Sequence, residues 1–271
     1  MKKNGIGAKI YLSVLLLLMY LPIIIVVLYS FNASTARVPT VFTGFSLQWY
    51  EALFDDQRGY GEALKISLQV GFLSVLLSTV LGSLGALGQA RKRIKTSLGG
   101  KIASAGESLL ENLVILPIML PELILGVAFM LLFSLLKLPS GMLTLVIAHT
   151  TFCVPYVYLL VKSRLATLGD ELEWAARDLG ASPMRAMLTV TLPLIRPAVL
   201  SGALLSLAMS LDDFLISFFV SGADSTTLPL KIYSSARYGV SSQINALCTV
   251  MLLFVFLLVI ISQLVLKKKR G

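Results

Sequence analysis

Residues 170–183, D-E-L-E-W-A-A-R-D-L-G-A-S-P, form a short polar stretch between two long apolar segments and carry clear signals of local structure. Acidic residues at its start favour the beginning of a helix, because the positive end of the helix dipole lies there. Gly180 suits the left-handed position that ends a helix. Ser182 followed by Pro183 is typical of the first residues of another helix. The stretch therefore predicts two short helices joined by a turn.

Further residues predict how the two short helices pair, where the second one ends and what the element does. Glu173 and Arg177 are four residues apart, so their side chains can pair on one helix face. Pro193 is expected to stop the second helix, and Pro197 to open the next apolar helix. Capping residues and a glycine terminator predict an element that projects to dock another protein. The alternative is an amphipathic helix on the bilayer surface, which an acidic first turn disfavours beside anionic lipid.

The segments on either side of this stretch are candidates for membrane spans. Hydrophobic residues make up 56% of the 271 residues and charged residues only 14%, whereas soluble domains average about 25% charged residues. A helix needs about 20 apolar residues to cross the hydrocarbon core of a membrane. The sequence therefore predicts an all-α, polytopic bundle of about six transmembrane helices. The six stretches are 10–30, 64–89, 108–136, 141–162, 197–220 and 246–266.

The distribution of positive charge predicts the orientation. If both termini are cytoplasmic, the inner segments hold 17 of the 23 Lys and Arg residues, as the positive-inside rule requires. These segments are 1–9, 90–107, 162–196 and 267–271. We therefore expect a multi-pass plasma-membrane protein. The net charge of +9 is accordingly interpreted as contact with membrane lipid and not with nucleic acid.

The same boundaries predict the domain organisation. Residues 1–63 would form the first transmembrane helix and an external segment. Residues 64–266 would form the transmembrane core, with a cytoplasmic loop at 163–196, and residues 267–271 a basic cytoplasmic tail. His149 is the single histidine, which excludes a multi-histidine metal site. Cys153 and Cys248 lie in apolar segments and are interpreted as packed side chains, so no metal site is expected.

Three carboxylates lie inside the predicted spans, where ionisable groups are costly and are candidates for function. Asp213 projects onto a stripe of small residues in the fifth span, so we expect it to face protein or a pore. Asp212 points about 100° away and is expected to pair with a neighbouring helix. Glu122 follows Pro117 and Pro121, which are expected to break the third span and free backbone carbonyls. The stripe consists of Ala198, Gly202, Ser206 and Ser210.

Several segments resemble one family of membrane proteins. The pattern E-W-A-A-R-D-L-G-A-S at residues 173–182, with L-P at 192–193, resembles the E-A-A loop of ABC importer permeases. Trp174 stands where the shortest form of that motif has alanine. The resemblance covers nearly the whole chain, and its segments together resemble the second permease subunits of spermidine/putrescine importers. The other matching segments are Y-L-P-I-I-I-V-V-L-Y-S-F-N (20–32), H-T-T-F-C-V-P-Y (149–156), S-L-D-D-F-L-I-S-F-F-V (210–220) and L-P-L-K-I-Y-S (228–234).

This resemblance implies a type I ABC importer permease that is not itself an enzyme. It implies a second homologous permease subunit, an ABC ATPase dimer that binds ATP and Mg, and an external polyamine-binding protein. No cofactor is expected in this chain, which has no P-loop pattern. The implied ATPase-coupling residues are Glu173, Ala175, Ala176, Arg177, Gly180 and Pro193. The expected substrate path consists of Asp213, Asp212, Glu122, Phe214 and Tyr156, whose aromatic members could stack on ammonium groups or simply pack.

Three alternatives remain at the level of the sequence. The cargo could be iron, thiamine, molybdate or another small solute, although carboxylates in the path would repel an anion. The chain could be a stand-alone secondary transporter or channel, which would work without ATPase partners. An intramembrane enzyme is disfavoured, because there is no His-Glu-x-x-His motif and His149 has no obvious Ser or Asp partner in the sequence.

Overall fold

The computed structural model describes residues 6–55, 58–96, 101–169 and 171–268. These residues form helices and connecting segments, with one isolated β-bridge between Asn32 and Phe45 in place of any sheet. The all-α class is therefore confirmed. The helices are α1 (Ile6–Ser30), α2 (Gln48–Phe54), α3 (Tyr60–Thr96), α4 (Lys101–Met119), α5 (Glu122–Leu135), α6 (Met142–Leu168), α7 (Glu171–Asp178), α8 (Pro183–Ala186), α9 (Leu192–Asp212), α10 (Leu215–Val220), α11 (Leu228–Ala236) and α12 (Ser242–Lys268).

Apolar helices of membrane-spanning length dominate this architecture. Within the described ranges, four helical stretches are long and apolar enough to cross a membrane, and the pair α4–α5 adds a fifth if it counts as one span. The last predicted span lies in α12, whose apolar part among the described side chains, Ser242–Phe254, is shorter. A polytopic helical membrane protein is thus confirmed, with four or five spans supported. The four stretches are Gly7–Ser30, Tyr60–Ala90, Met142–Leu168 and Pro183–Asp212.

Two of the predicted spans are interrupted. The break expected from Pro117 and Pro121 is present at Pro121, where the chain bends by 108° between α4 and α5. Pro117 does not break the helix, because it lies inside α4. The span predicted at 197–220 as one helix is wrong, because α9 ends at Asp212 and α10 begins at Leu215. Asp213 has an extended backbone, with φ −63° and ψ 123°. Its side chain accepts hydrogen bonds from amides at the start of α10, so these amides need no carbonyl partners from a continuous helix.

The expectation that Pro193 stops a helix and Pro197 opens another is also wrong. Helical backbone runs from Pro183 to Asp212, because a π-helical turn at Met187–Thr191 joins α8 to α9. Proline normally clashes with the carbonyl four residues earlier and lacks an N–H donor. The wider π-turn and the position of Pro193 in the first turn of α9 accommodate both properties.

The chain forms two compact units. One combines the chain up to Glu62 with the chain from Lys231 onward, and the other is Ala63–Leu230. The division at residue 62 lies beside the expected boundary at 63, whereas the C-terminal helix groups with the N-terminal segment. The functional division drawn from the sequence stays a prediction. Residues 1–5, Asp170 and 269–271, which include part of the basic flanks, lie outside the described residues.

In the first unit, α12 packs against α1 and α2, and the segment after α1 is organised by buried Asn32. Its side chain donates to the carbonyl of Val41 at 2.9 Å and accepts from the Thr43 amide at 2.9 Å. The indole of Trp49 donates to the Asn32 carbonyl at 2.8 Å. The segment predicted as external is therefore an ordered structure that contains α2.

In the second unit, α6 packs closely against both α3 and α9. A Cβ added to Gly82 of α3 would lie 2.8 Å from the Cβ of Val157, and one added to Gly202 of α9 would lie 3.0 Å from its Cα. Such close approach of backbones is what small residues permit in membrane helices. Ser206 reinforces it by donating to the carbonyl of Cys153 at 3.4 Å. Gly82 and Gly202 therefore allow α3 and α9 to approach α6 closely at the same residue, Val157.

Candidate functional site

The turn between α7 and α8 has the geometry that its sequence predicts. Gly180 has φ +87°, and its amide donates to the carbonyl of Arg177 at 2.9 Å. The amide of Ala181 donates to the carbonyl of Ala176 at 3.1 Å, which completes a Schellman motif. The hydroxyl of Ser182 then accepts from the Arg185 amide at 3.3 Å and caps α8.

The predicted pairing of Glu173 with Arg177 is not present among the described residues. Glu173 instead accepts a hydrogen bond from the hydroxyl of Thr191, with 3.3 Å between the oxygens. This contact ties α7 to the π-turn at the base of α9. No local pattern predicts this contact, because the two residues are 18 positions apart and meet only when the turn folds.

The surface of α7 and the following turn is exposed and partly apolar. Trp174 is 51% exposed and Leu179 is 91% exposed, while Ala175 is exposed and Ala176 is partly buried. An amphipathic element that leaves large apolar side chains uncovered is a candidate for contact with another protein. Five predicted coupling residues, from Glu173 to Gly180, therefore lie together on this element, and Pro193 lies on α9 beyond the π-turn.

The three carboxylates predicted for the substrate path also converge. Glu122 at the start of α5 lies within electrostatic range of both Asp212 and Asp213 at the junction of α9 and α10. Tyr156 of α6 lies within range of Glu122 in turn. The carboxylates of Glu122 and Asp212 belong to exposed residues, whereas Asp213 is buried and Tyr156 and Phe214 are half-buried. The fold thus assembles one acidic cluster with aromatic neighbours at two helix breaks.

Asp213 has a structural role that is visible in its contacts. Its Oδ1 accepts from the amide of Ile216 at 3.1 Å, and its Oδ2 accepts from the amide of Ser217 at 2.8 Å. The hydroxyl of Ser217 also donates to Oδ2 at 2.7 Å. These bonds satisfy amides at the start of α10 that a membrane could not hydrate. Asp212, expected to pair with a neighbouring helix, has an exposed side chain instead.

His149 is a site residue that the sequence did not identify. Its ring is fully buried, and Nε2 lies 3.3 Å from Oδ2 of Asp213 and 3.1 Å from Oγ of Ser217. Nδ1 lies 2.8 Å from Oγ of Ser210. His149 is thus a buried, hydrogen-bonded histidine whose Ser and Asp partners were not obvious in the sequence. The partners are more than 60 residues away in sequence, so only the packing of α6 against α9 and α10 brings them together.

Comparison with known proteins agrees with this architecture. Residues 96–270 match the family described as binding-protein-dependent transport system inner membrane component. The spermidine/putrescine transport system permease protein PotC of Haemophilus influenzae is 37% identical over 250 residues, which cover 92% of this chain and 92% of that protein. The putrescine transport system permease protein PotI of Escherichia coli K12 is 38% identical over 241 residues, or 86% of this chain and 81% of that protein.

A solved structure shares the fold. It is that of a bacterial ABC transporter involved in the import of the acidic polysaccharide alginate, and it matches with a TM-score of 0.70 at 16% identity. The match covers 97% of this chain and 95% of that one. The family match and the two relatives extend over most of the sequence. This chain therefore belongs to the family of binding-protein-dependent transport system inner membrane components.

Proposed function

We propose that this chain translocates spermidine or putrescine as a permease subunit of an ATP-driven importer. The observation that carries the proposal is its identity of 37% and 38%, over most of both chains, with permeases named for these polyamines. The acidic cluster supports a cationic cargo, because carboxylates along a path attract cations and repel anions. The negative charge of the cluster disfavours molybdate, which is an anion, but does not exclude iron or thiamine as the cargo.

The cluster fits the chemistry of a polyamine. Such a molecule carries ammonium groups separated by methylene spacers, so its path needs negative charge next to apolar or aromatic surface. The exposed carboxylates of Glu122 and Asp212 supply the charge, and Tyr156 and Phe214 supply aromatic faces. Asp213 adds negative charge from behind this surface, because its oxygens are already hydrogen-bonded within the protein.

We propose that the α7–α8 turn docks on an ATPase subunit. Glu173, Ala175, Ala176, Arg177 and Gly180 belong to this turn, and Pro193 lies just beyond the π-turn. Partner contact would cover the exposed side chains of Trp174 and Leu179, which are costly to leave in water. Because helical backbone continues from Pro183 to Asp212, movement of the docked turn reaches the acidic cluster through one element.

The family match supports the remaining parts of the proposed assembly. An ATPase dimer binds ATP and Mg, a second homologous permease completes the pathway, and an external binding protein delivers the polyamine. No cofactor is assigned to this chain. Both termini and the α7–α8 turn lie in the cytoplasm, in agreement with the positive-inside bias. ATP binding closes the ATPases and opens the path outward, and hydrolysis resets it.

The test combines purification with uptake in cells that express the complete operon. Glu173→Lys reverses a charge in the docking turn, so we expect loss of the ATPase subunit from the purified complex and loss of radiolabelled spermidine uptake. Glu51→Lys, at an exposed residue of α2 in the predicted external segment, is the charge-matched control and should retain both. Excess unlabelled putrescine should compete with uptake, and thiamine and iron should not. Retention of the ATPase by Glu173→Lys, or competition by thiamine or iron alone, contradicts the proposal.

A further inference from the structure

The break between α9 and α10 is bridged by a single side chain from a third helix. Nδ1 of His149, on α6, contacts Ser210 in the last turn of α9 at 2.8 Å. Nε2 of the same ring contacts Ser217 of α10 at 3.1 Å and Asp213, between the helices, at 3.3 Å. The imidazole therefore bonds to both sides of the break.

A neutral imidazole with its proton on Nε2 satisfies every group in this network. Nε2–H then donates toward Asp213 and Ser217, while Nδ1 accepts from the hydroxyl of Ser210. Both Asp213 oxygens also accept from the first amides of α10. The side chains of His149 and Asp213 are 0% and 2% exposed. Loss of one partner would leave the other buried polar groups without a hydrogen bond, which lowers stability at a buried site.

The far end of α10 is also held by α6 and α5. Thr144 of α6 donates its hydroxyl to the carbonyl of Val220 at 2.8 Å. Gly126 of α5 lies against α10 so closely that an added Cβ would be 2.7 Å from Cδ2 of Phe219 and 3.2 Å from the carbonyl oxygen of Leu215. Because α5 begins with Glu122, the position of this carboxylate depends on where α10 lies.

We infer that His149 is a positioning residue for transport, which locks the end of α9 to α10 so that movement of α9 carries α5 and Glu122 with it. The inference rests on the proposed function, because it assigns His149 the link between the ATPase-docked helix and the substrate path. His149 does not contact the substrate, since its ring is fully buried and its nitrogens are occupied. The lock is distributed over Ser210, Asp213 and Ser217, which each bond to the ring.

Because His149 joins α9 to α10, its loss should uncouple the movement of α9 from that of α5 and leave substrate binding unchanged. In the reconstituted full complex, His149→Ala should lower maximal spermidine uptake by about tenfold, leave KM within about twofold, and retain ATP hydrolysis. His149→Gln should recover part of the uptake, because its amide can both donate and accept. Thr150→Val is the control, since its buried hydroxyl has no partner in the described part of the chain. Unchanged uptake, or a raised KM at full maximal rate, overturns the inference.

Two further variants cover the case in which His149→Ala does not assemble. Ser210→Ala removes the bond to α9 and Ser217→Ala removes the bond to α10, while the histidine remains. Each should lower maximal uptake with little change in KM. Full maximal uptake in both variants contradicts the lock.

A second measurement separates this inference from the choice of cargo. Spin labels at exposed Leu131 of α5 and Leu200 of α9, in a cysteine-free full complex, report whether the two helices move together. ATP should leave their distance unchanged with His149 present and change it in His149→Ala. An identical response in the two proteins overturns the lock. Failure of the wild-type complex to take up spermidine would instead overturn the polyamine assignment.

Discussion

Charge and exposure divide the three intramembrane carboxylates into two groups. Glu122 and Asp212 belong to exposed residues, whereas Asp213 is buried and bonds to two backbone amides and a histidine. A carboxylate whose oxygens are already engaged has little capacity left for an ammonium group. At the scale of single residues, we therefore propose that Glu122 and Asp212 contact the cargo directly.

This division gives a prediction for substrate affinity. Glu122→Gln and Asp212→Asn should each raise KM for spermidine by about five- to twentyfold, because a lost charged contact costs about 1–2 kcal/mol. Assembly with the ATPase should persist, since neither side chain supports the docking turn. Radiolabelled uptake over a range of spermidine concentrations measures the effect. Asp224→Asn, an exposed acid in the segment between α10 and α11, is the control, and an equal rise in KM there would contradict the assignment.

Local chemistry explains which residues could be identified from the sequence. Gly180 and Ser182 were predictable because helix termination and capping depend on neighbouring residues. Asp213 was predictable as inward-facing from the periodicity of the small residues. His149 was not predictable, because its partners belong to other helices. Thr191 was not predictable either, because its bond to Glu173 depends on the π-turn at Met187–Thr191, which the sequence pattern does not specify.

At the scale of elements, α6 is held by close contacts with two other helices around Val157. Gly82 of α3 faces Val157 and the carbonyl oxygen of Val154, which would lie 2.9 Å from an added Cβ. Gly202 of α9 faces the backbone of Val157. Backbone atoms cannot rotate away as a flexible side chain can, so these two glycines set the spacing of α3, α6 and α9.

Enlarging one of these glycines should destabilise the bundle. Gly82→Val should cost about 1–3 kcal/mol, because the new side chain must displace backbone atoms of α6. Thermal unfolding of the purified complex in detergent measures the effect as a lower Tm. Gly85→Ala, one turn further along α3, is a control, since an added Cβ there meets the Tyr158 ring at ordinary contact distances, 3.6 Å from Cδ2 and 4.0 Å from Cε2. An unchanged Tm for Gly82→Val would show that the helices can separate without cost.

Helix breaks illustrate how far sequence patterns determine the elements. The break before α5 could be predicted, because Pro121 cannot continue a helix. The break after α9 could not, because the sequence there contains no proline or glycine and the extended backbone at Asp213 is stabilised by side-chain capping and by α6. Pro193 usually predicts the end of a helix. Here the helix continues, because the wider π-turn at Met187–Thr191 tolerates a proline that an α-helix excludes.

At the scale of the whole molecule, the unit Ala63–Leu230 contains both candidate sites. The docking turn lies at one end of the helical stretch Pro183–Asp212, and the acidic cluster lies at the other. A stretch of 30 residues is about 45 Å long at 1.5 Å per residue. One element can therefore carry movement from a partner docked on the turn to the carboxylates of the acidic cluster.

Composition was enough to predict this membrane architecture, because 56% hydrophobic residues leave few alternatives for a chain of this length. The grouping of the C-terminal helix with the N-terminal segment was not predictable. Contacts such as the hydrogen bond from Gln243 to the carbonyl of Ala52 join residues nearly 200 positions apart. No local pattern in the sequence encodes such a pairing.

The central claim is that an ATPase drives this chain through the α7–α8 turn, and uptake by the reconstituted complex tests it most directly. Proteoliposomes containing the permeases and the ATPase, with binding protein and radiolabelled spermidine added on the external side, should accumulate spermidine only when ATP is enclosed. Glu173→Lys should abolish this accumulation. Equal accumulation without ATP, or from vesicles that lack the ATPase, would contradict the account.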